Sequence, residues 1–184
     1  MGENKDTQDS LASFKKAFIG SFFVIFMLLV VQFGSLAQPF IIMTAIPFGI
    51  VGVVLSFFVF DLSLSFMGLM GILGLIGVVI NDSIVLVTFI NRTLDEKGYH
   101  ISSLVEASVS RFRPVILTTV TTVAGLLPVA HLPDGDPFLK PMAVSFAYGL
   151  LFSTSITLLF VPACFMAYIK VMAKFNKLPE IDEA

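Results

Sequence analysis

Charge is scarce in this 184-residue sequence: Lys and Arg together number 11, Asp and Glu 13, and charged residues make up 13%. A water-soluble domain carries about 25% charged and about 45–50% apolar residues. Here the apolar share is 57%. So little charge cannot cover the surface of a soluble chain of this size. One cysteine, Cys164, excludes an internal disulfide, and it reads as a small packing residue in an apolar run. No Gly-rich phosphate loop, no GxSxG, no paired nucleophile and base and no metal-ligand cluster is present, so an enzyme has no residues to stand on and neither cofactor nor metal is expected. No basic patch points to nucleic acid. The alternation that marks a membrane barrel is also missing.

What fills the chain instead is long uncharged segments. Ala17–Phe60 contains no Asp, Glu, Lys, Arg or His, and Leu62–Asn81, Pro114–Ala130 and Pro141–Ile169 are similar. About 20 apolar residues cross a bilayer once, so the first run is long enough for two crossings. Backbone groups in lipid must find partners within their own segment, which makes these runs helices.

The expected fold is therefore an all-α membrane protein with five transmembrane helices. The spans fall at about 17–34, 39–60, 64–90, 114–132 and 141–168. Gln38–Pro39, after Gly34 and Ser35, separates the first two. Pro47 is a possible kink, Asp61–Ser63 a polar turn, and Pro114 a first helical residue whose missing N–H costs little. Pro162 lies near the end of the fifth span. Residues 1–16 read as a polar linker and 174–184 as a tail. Between the third and fourth spans, Ile101, Leu104, Val105, Val109 and Phe112 make one apolar stripe at helical spacing, and Ser103 and Glu106 have capping-box spacing. This predicts a short amphipathic helix over 101–113, either lying on the membrane surface or packed on the spans as an ordinary solvated helix.

Lys and Arg placement sets orientation. With five spans the termini lie on opposite sides, and a cytoplasmic C-terminus puts seven of the cationic residues inside and four outside. Lys15 and Lys16, directly before the first span, argue the other way.

The residue pair Asn81–Asp82 stands out inside the third span. An ionisable residue there is expensive and normally faces a bundle interior or a water cavity. Desolvation disfavours the charged form of a carboxylate, which suits Asp82 to binding and releasing a proton; a static polar contact is the alternative. Gly68, Gly71, Gly74 and Gly77 recur every third residue, and small residues let helices approach closely in lipid. At 100° per residue Gly74, Gly77 and Thr88 share the face of Asn81, while Gly71 and Leu75 lie near that of Asp82. In the fourth span Thr118, Thr122 and Gly125 share a face, although Thr hydroxyls often bond back to their own helix. His131, near Asp134 and Asp136, can sense pH but reads more simply as an incidental interfacial residue.

Taken in order, these segments resemble a known family. Gly77-Val-Val-Ile-Asn-Asp-Ser-Ile-Val-Leu-Val-Thr-Phe-Ile-Asn91 is similar to the proton-relay helix of resistance–nodulation–division (RND) exporters. Arg111-Phe-Arg-Pro-Val-Ile-Leu-Thr-Thr119, continuing to Gly125-Leu-Leu-Pro128, resembles the helix that follows it. Phe33-Gly-Ser-Leu-Ala-Gln-Pro39 and Ala45-Ile-Pro-Phe-Gly-Ile-Val-Gly52 resemble earlier spans of the same bundle; the last is matched by Pro141-Met-Ala, Gly149-Leu-Leu-Phe-Ser-Thr154 and Val161-Pro162. The resemblance covers nearly the whole chain and points to the hydrophobe/amphiphile, acriflavin-resistance branch. It implies the last five spans of a second six-helix repeat, with residues 1–16 ending a periplasmic section and the 101–113 helix cytoplasmic. It further implies a proton-relay role for Asp82, Asn81, Thr118 and Arg111 in proton/drug antiport driven by the proton-motive force. Family second repeats often carry Asn where Asp82 stands, so the acid is a departure. The implied partners are the first repeat and porter region, a homotrimer, a periplasmic adaptor, an outer-membrane channel and the inner-membrane bilayer. The protein-export and heavy-metal branches rank below on the Asn81–Asp82 motif. A stand-alone structural membrane protein or a non-transporting remnant is the reading from a different class.

Overall fold

The computed structural model describes residues 2–131 and 136–174. The tail beyond Lys174, Asp134 and the last residue of the expected fourth span, Leu132, lie outside the described residues. Six helices form: α1 (Gly2–Phe33), α2 (Ala37–Met43), α3 (Ala45–Val59), α4 (Phe66–Lys97), α5 (Ile101–His131) and α6 (Leu139–Lys174). No strand occurs among the described residues. Five stretches are long and apolar enough to cross a membrane: Lys15–Phe33, Ala37–Val59, Phe66–Lys97, Ile101–His131 and Leu139–Ala173. The chain is all-α, as the uncharged runs require.

The chain divides into two compact units, residues 1–40 and 41–184. In the first, α1 starts at Gly2, so the segment expected as a linker over 1–16 is helical too. Phe23, Met27 and Val31 of α1 are exposed, which suits a helix with lipid around it. Phe26 and Phe40 meet edge to face, with centroids 5.1 Å apart.

In the second unit α6 is the central helix, packed against α3, α4 and α5. The core draws Ala45 and Val53 from α3, Leu75 and Val79 from α4, Val123 and Ala130 from α5, and Ala143, Val144, Ala147 and Leu150 from α6. Small residues set the closest approaches. A Cβ on Gly71 would overlap Ser145 Oγ and come within 2.5 Å of the Met142 carbonyl oxygen. Ser145 Oγ uses that closeness, donating to the Gly68 carbonyl at 3.2 Å. On the α3 side, a Cβ on Gly149 would lie 2.5 Å from Leu75 Cδ2 and 2.8 Å from Val53 Cγ2.

Three boundaries differ from the expected ones. The break in the second span falls at Thr44, three residues before Pro47. A proline ring strikes the carbonyl four residues back, which is that of Met43, so α2 ends there. Thr44 Oγ1 donates to the Ile41 carbonyl at 2.6 Å.

The expected short helix over 101–113 is not a separate element. It is the first half of α5, which runs unbroken through Pro114. The reason is a single buried stripe, Leu104, Ala107, Val115, Thr119 and Val123, whose eight-residue step from Ala107 to Val115, about two turns, keeps the same side of the helix buried on both sides of the proline. Keeping that stripe against its neighbours outweighs one lost backbone bond. The 31 residues of α5 at about 1.5 Å each reach about 46 Å, well beyond a hydrocarbon core of about 30 Å.

Third, α4 extends to Lys97 before Gly98, at φ 90°, turns the chain. At its start Ser65 caps α4 by accepting the Gly68 N–H at 3.2 Å.

Candidate functional site

Asp82 sits midway along α4 and is partly buried; Asn81 beside it is exposed. Gly74, Gly77, Asn81, Val85 and Thr88 form an exposed stripe along α4, stepping by three and four residues so that they share one face. The opposite face, from Gly71 through Leu75, Val79, Ser83 and Leu86 to Ile90, is buried. Asp82 therefore lies at the edge between packed and open sides. The ion pairs among the described residues are elsewhere: Arg92–Glu96 at 2.8 Å and Lys97–Glu106. The mid-span carboxylate has no counter-charge among the described residues of its own chain.

The four glycines divide along the same line. Gly68 and Gly71 face close neighbours, Phe57 for the first and Ser145 for the second. A Cβ on Gly74 would meet Phe146 at an ordinary 3.4 Å, and one on Gly77 would meet nothing within 4 Å.

On α5 the threonines also separate by face. Thr118 is exposed and its hydroxyl donates to its own helix, to the Val115 carbonyl at 2.9 Å. Thr121 does the same toward Leu117 and Thr118. The hydroxyl that crosses between helices is that of buried Thr119, 3.1 Å from Thr154 Oγ1 of α6. Thr119 belongs to the buried α5 stripe, and that spacing was its signal in the sequence.

Arg111 lies with its guanidinium carbon 4.2 Å from the centroid of the Phe89 ring on α4. This contact sets the register of the two antiparallel helices. Seven residues back along α4 from Phe89 is Asp82, and seven residues on along α5 from Arg111 is Thr118. Two turns return each to nearly the same face, about 10 Å farther along. Asp82 and Thr118 thus stand at one level on adjacent helices, with no hydrogen bond between them. Asn81 is turned onto the open stripe. Near the α4–α5 turn, burial first and the Asp95 carboxylate second push the Tyr99 hydroxyl above its ordinary value, keeping it a donor.

His131 is more integrated than an incidental interfacial residue. Its Nδ1 lies 3.3 Å from the Leu127 carbonyl oxygen and its Nε2 3.1 Å from the Tyr148 hydroxyl. Phe60 packs on both rings, so one cluster ties α5 and α6 to the C-terminal end of α3.

Apolar spans, a mid-span carboxylate and close glycine-mediated crossings define a multi-pass membrane protein with a polar locus inside its helices. The AcrB/AcrD/AcrF family model matches residues 1–169, and the chain belongs to that family of RND transporters. It is 32% identical over 181 residues to the swarming motility protein SwrC of Bacillus subtilis (strain 168), covering 96% of this chain and 16% of that one. It is 29% identical over 178 residues to the multidrug resistance protein MdtC of Yersinia enterocolitica, covering 94% of this chain and 17% of the relative. The crystal structure of a heavy metal efflux pump superimposes with a TM-score of 0.80 at 25% identity, over 89% of this chain and 16% of the pump. The chain thus spans about one sixth of the length of these relatives.

Proposed function

We propose that this chain supplies the second-repeat part of the membrane domain of an efflux transporter that exchanges protons for drugs, driven by the proton-motive force. The observation that carries this reading is Asp82: a carboxylate at mid-span, without a counter-charge among the described residues and at the edge of a stripe that its own helices leave open. A group so placed binds a proton at low energetic cost, because neutralisation removes the penalty of a charge in lipid. Proton binding then shifts the balance between two helix packings. Thr118, level with Asp82, and Arg111, two turns away, are the remaining relay members, and Asn81 on the open stripe hydrogen-bonds to the carboxylates of the first repeat.

On this reading the open stripe of α4 is covered by the first repeat, and the porter region handles substrate. The C-terminus is cytoplasmic, and the assembly is a homotrimer in the inner membrane working with a periplasmic adaptor and an outer-membrane channel. Multidrug resistance in the name of MdtC supports drugs as the cargo, and the Asn81–Asp82 motif ranks the heavy-metal and protein-export branches below.

The test is export of a fluorescent drug by the whole transporter in energised vesicles at matched expression. Asp82→Asn is expected to reduce export by at least tenfold, with Asp82→Glu retaining part of it. Normal export by Asp82→Asn would move the relay off this chain and leave Asp82 a packing group.

A further inference from the structure

The α4–α5 turn region is crowded with charge, and three of its acids have partners. Glu96 accepts from Arg92 at 2.8 Å, Glu106 accepts from Lys97, and, added to burial, Asp95 lies near enough to the Tyr99 hydroxyl to push it above its ordinary value. From Ser83 to Leu94 on α4 and from Ala107 to His131 on α5 the sequence holds no carboxylate. Arg111 nevertheless points into the α4–α5 contact, and its Nε is buried with no hydrogen-bond partner. A buried guanidinium N–H without an acceptor is costly, so something else must hold the cation there. The Phe89 ring, 4.2 Å from the guanidinium carbon, is within the range in which a cation over an aromatic face is attracted by the ring quadrupole.

We propose that Phe89 is the positioning residue of Arg111, holding its guanidinium by the ring face on the Asp82–Thr118 side of the α4–α5 contact. An acid in the place of Phe89 would neutralise Arg111 and lock it. An aromatic face attracts the cation without cancelling its charge and leaves its remaining N–H groups free to meet a carboxylate or water when the helices shift. The same contact sets the helix register that brings Asp82 level with Thr118, so loss of the ring disturbs charge placement and register together. This inference rests on the relay reading above and names the device that keeps one relay member in place.

The experiment uses phenylalanines carrying one, two and three fluorines at position 89 of the whole transporter. Fluorine drains electron density from the ring face while hardly changing its shape, so a packing role is indifferent to the series and a cation-binding role is not. Drug export is expected to fall stepwise, reaching about 3- to 10-fold below the unmodified protein with three fluorines. Phe89→Tyr is expected to keep export, and Phe89→Leu to lose it. Arg111→Ala is measured alongside. A flat fluorine series with Arg111→Ala inactive overturns the positioning role and leaves the relay reading standing. Normal export by Arg111→Ala overturns both the relay role of Arg111 and the purpose assigned to Phe89. Should Phe89→Leu fail to fold, the fluorine series still decides, because it preserves the shape of the side chain.

Discussion

Substituting Gly71 by alanine tests the close crossing of α4 and α6, on which the packing of the second unit depends. The new methyl would overlap Ser145 Oγ and sit 2.5 Å from the Met142 carbonyl oxygen, with the Met142 Cα at 3.1 Å. Two of those three atoms are backbone, so no side-chain rotation relieves them and the helices must separate. Forcing an extra carbon into a packed site costs about 1–3 kcal/mol. Separation also breaks the 3.2 Å contact from Ser145 Oγ to the Gly68 carbonyl. That hydroxyl shares its one proton with the Met142 carbonyl at 2.9 Å, so the break adds only ~0.5 kcal/mol. The expected loss is therefore about 1.5–3.5 kcal/mol. The measurement is the unfolding free energy of the purified 184-residue chain in bicelles, titrated with denaturing detergent. Gly77→Ala is the control, because a Cβ there meets nothing within 4 Å. It is expected to be neutral or slightly stabilising, as an alanine fits helical backbone better than glycine. Equal stabilities for the two variants would refute the crossing at Gly71. A Gly71→Ala that is destabilised and is restored by Ser145→Gly would support it further, because the second change removes the side-chain part of the overlap.

Two further outcomes are expected. Thr119→Val should cost about 0.5–1.5 kcal/mol, since it removes the buried hydroxyl pair with Thr154, whereas Thr118→Val should leave stability nearly unchanged because that hydroxyl serves only its own helix; the same detergent titration ranks the two, and the reverse ranking would contradict the assignment of faces. Pro114→Ala should not destabilise the chain, because Pro114 lies inside a continuous α5 where an alanine restores a backbone donor; a loss of stability would instead favour a separate helix beginning at the proline.

Much of the architecture was legible because the bilayer imposes it. The run from Ala17 to Phe60 and the three shorter ones had to be helices, and their number was readable from length. Boundaries were less so. Pro114 in isolation reads as a helix start, and only the stripe from Leu104 to Val123, seen packed, shows that α5 continues through it. Pro47 was recognised as a disturbance, yet the disturbance falls at Thr44, because the ring acts on the carbonyl four residues earlier.

The candidate site follows the same division. By itself the sequence determined that one carboxylate, Asp82, lies in the middle of an uncharged span, and that glycines recur every third residue before it. Helical periodicity assigns residues to faces, but it does not say which face meets which neighbour. That was decided by the tertiary structure, where α6 takes the middle position against α3, α4 and α5. Its placement separates packed Gly71 from open Gly77 and makes Thr119 rather than Thr118 the hydroxyl that crosses between helices. The meeting of α4 and α5 sets Arg111 over Phe89. An isolated helix in lipid has equivalent apolar sides; only neighbours that exclude lipid from one of them give a side chain its partner.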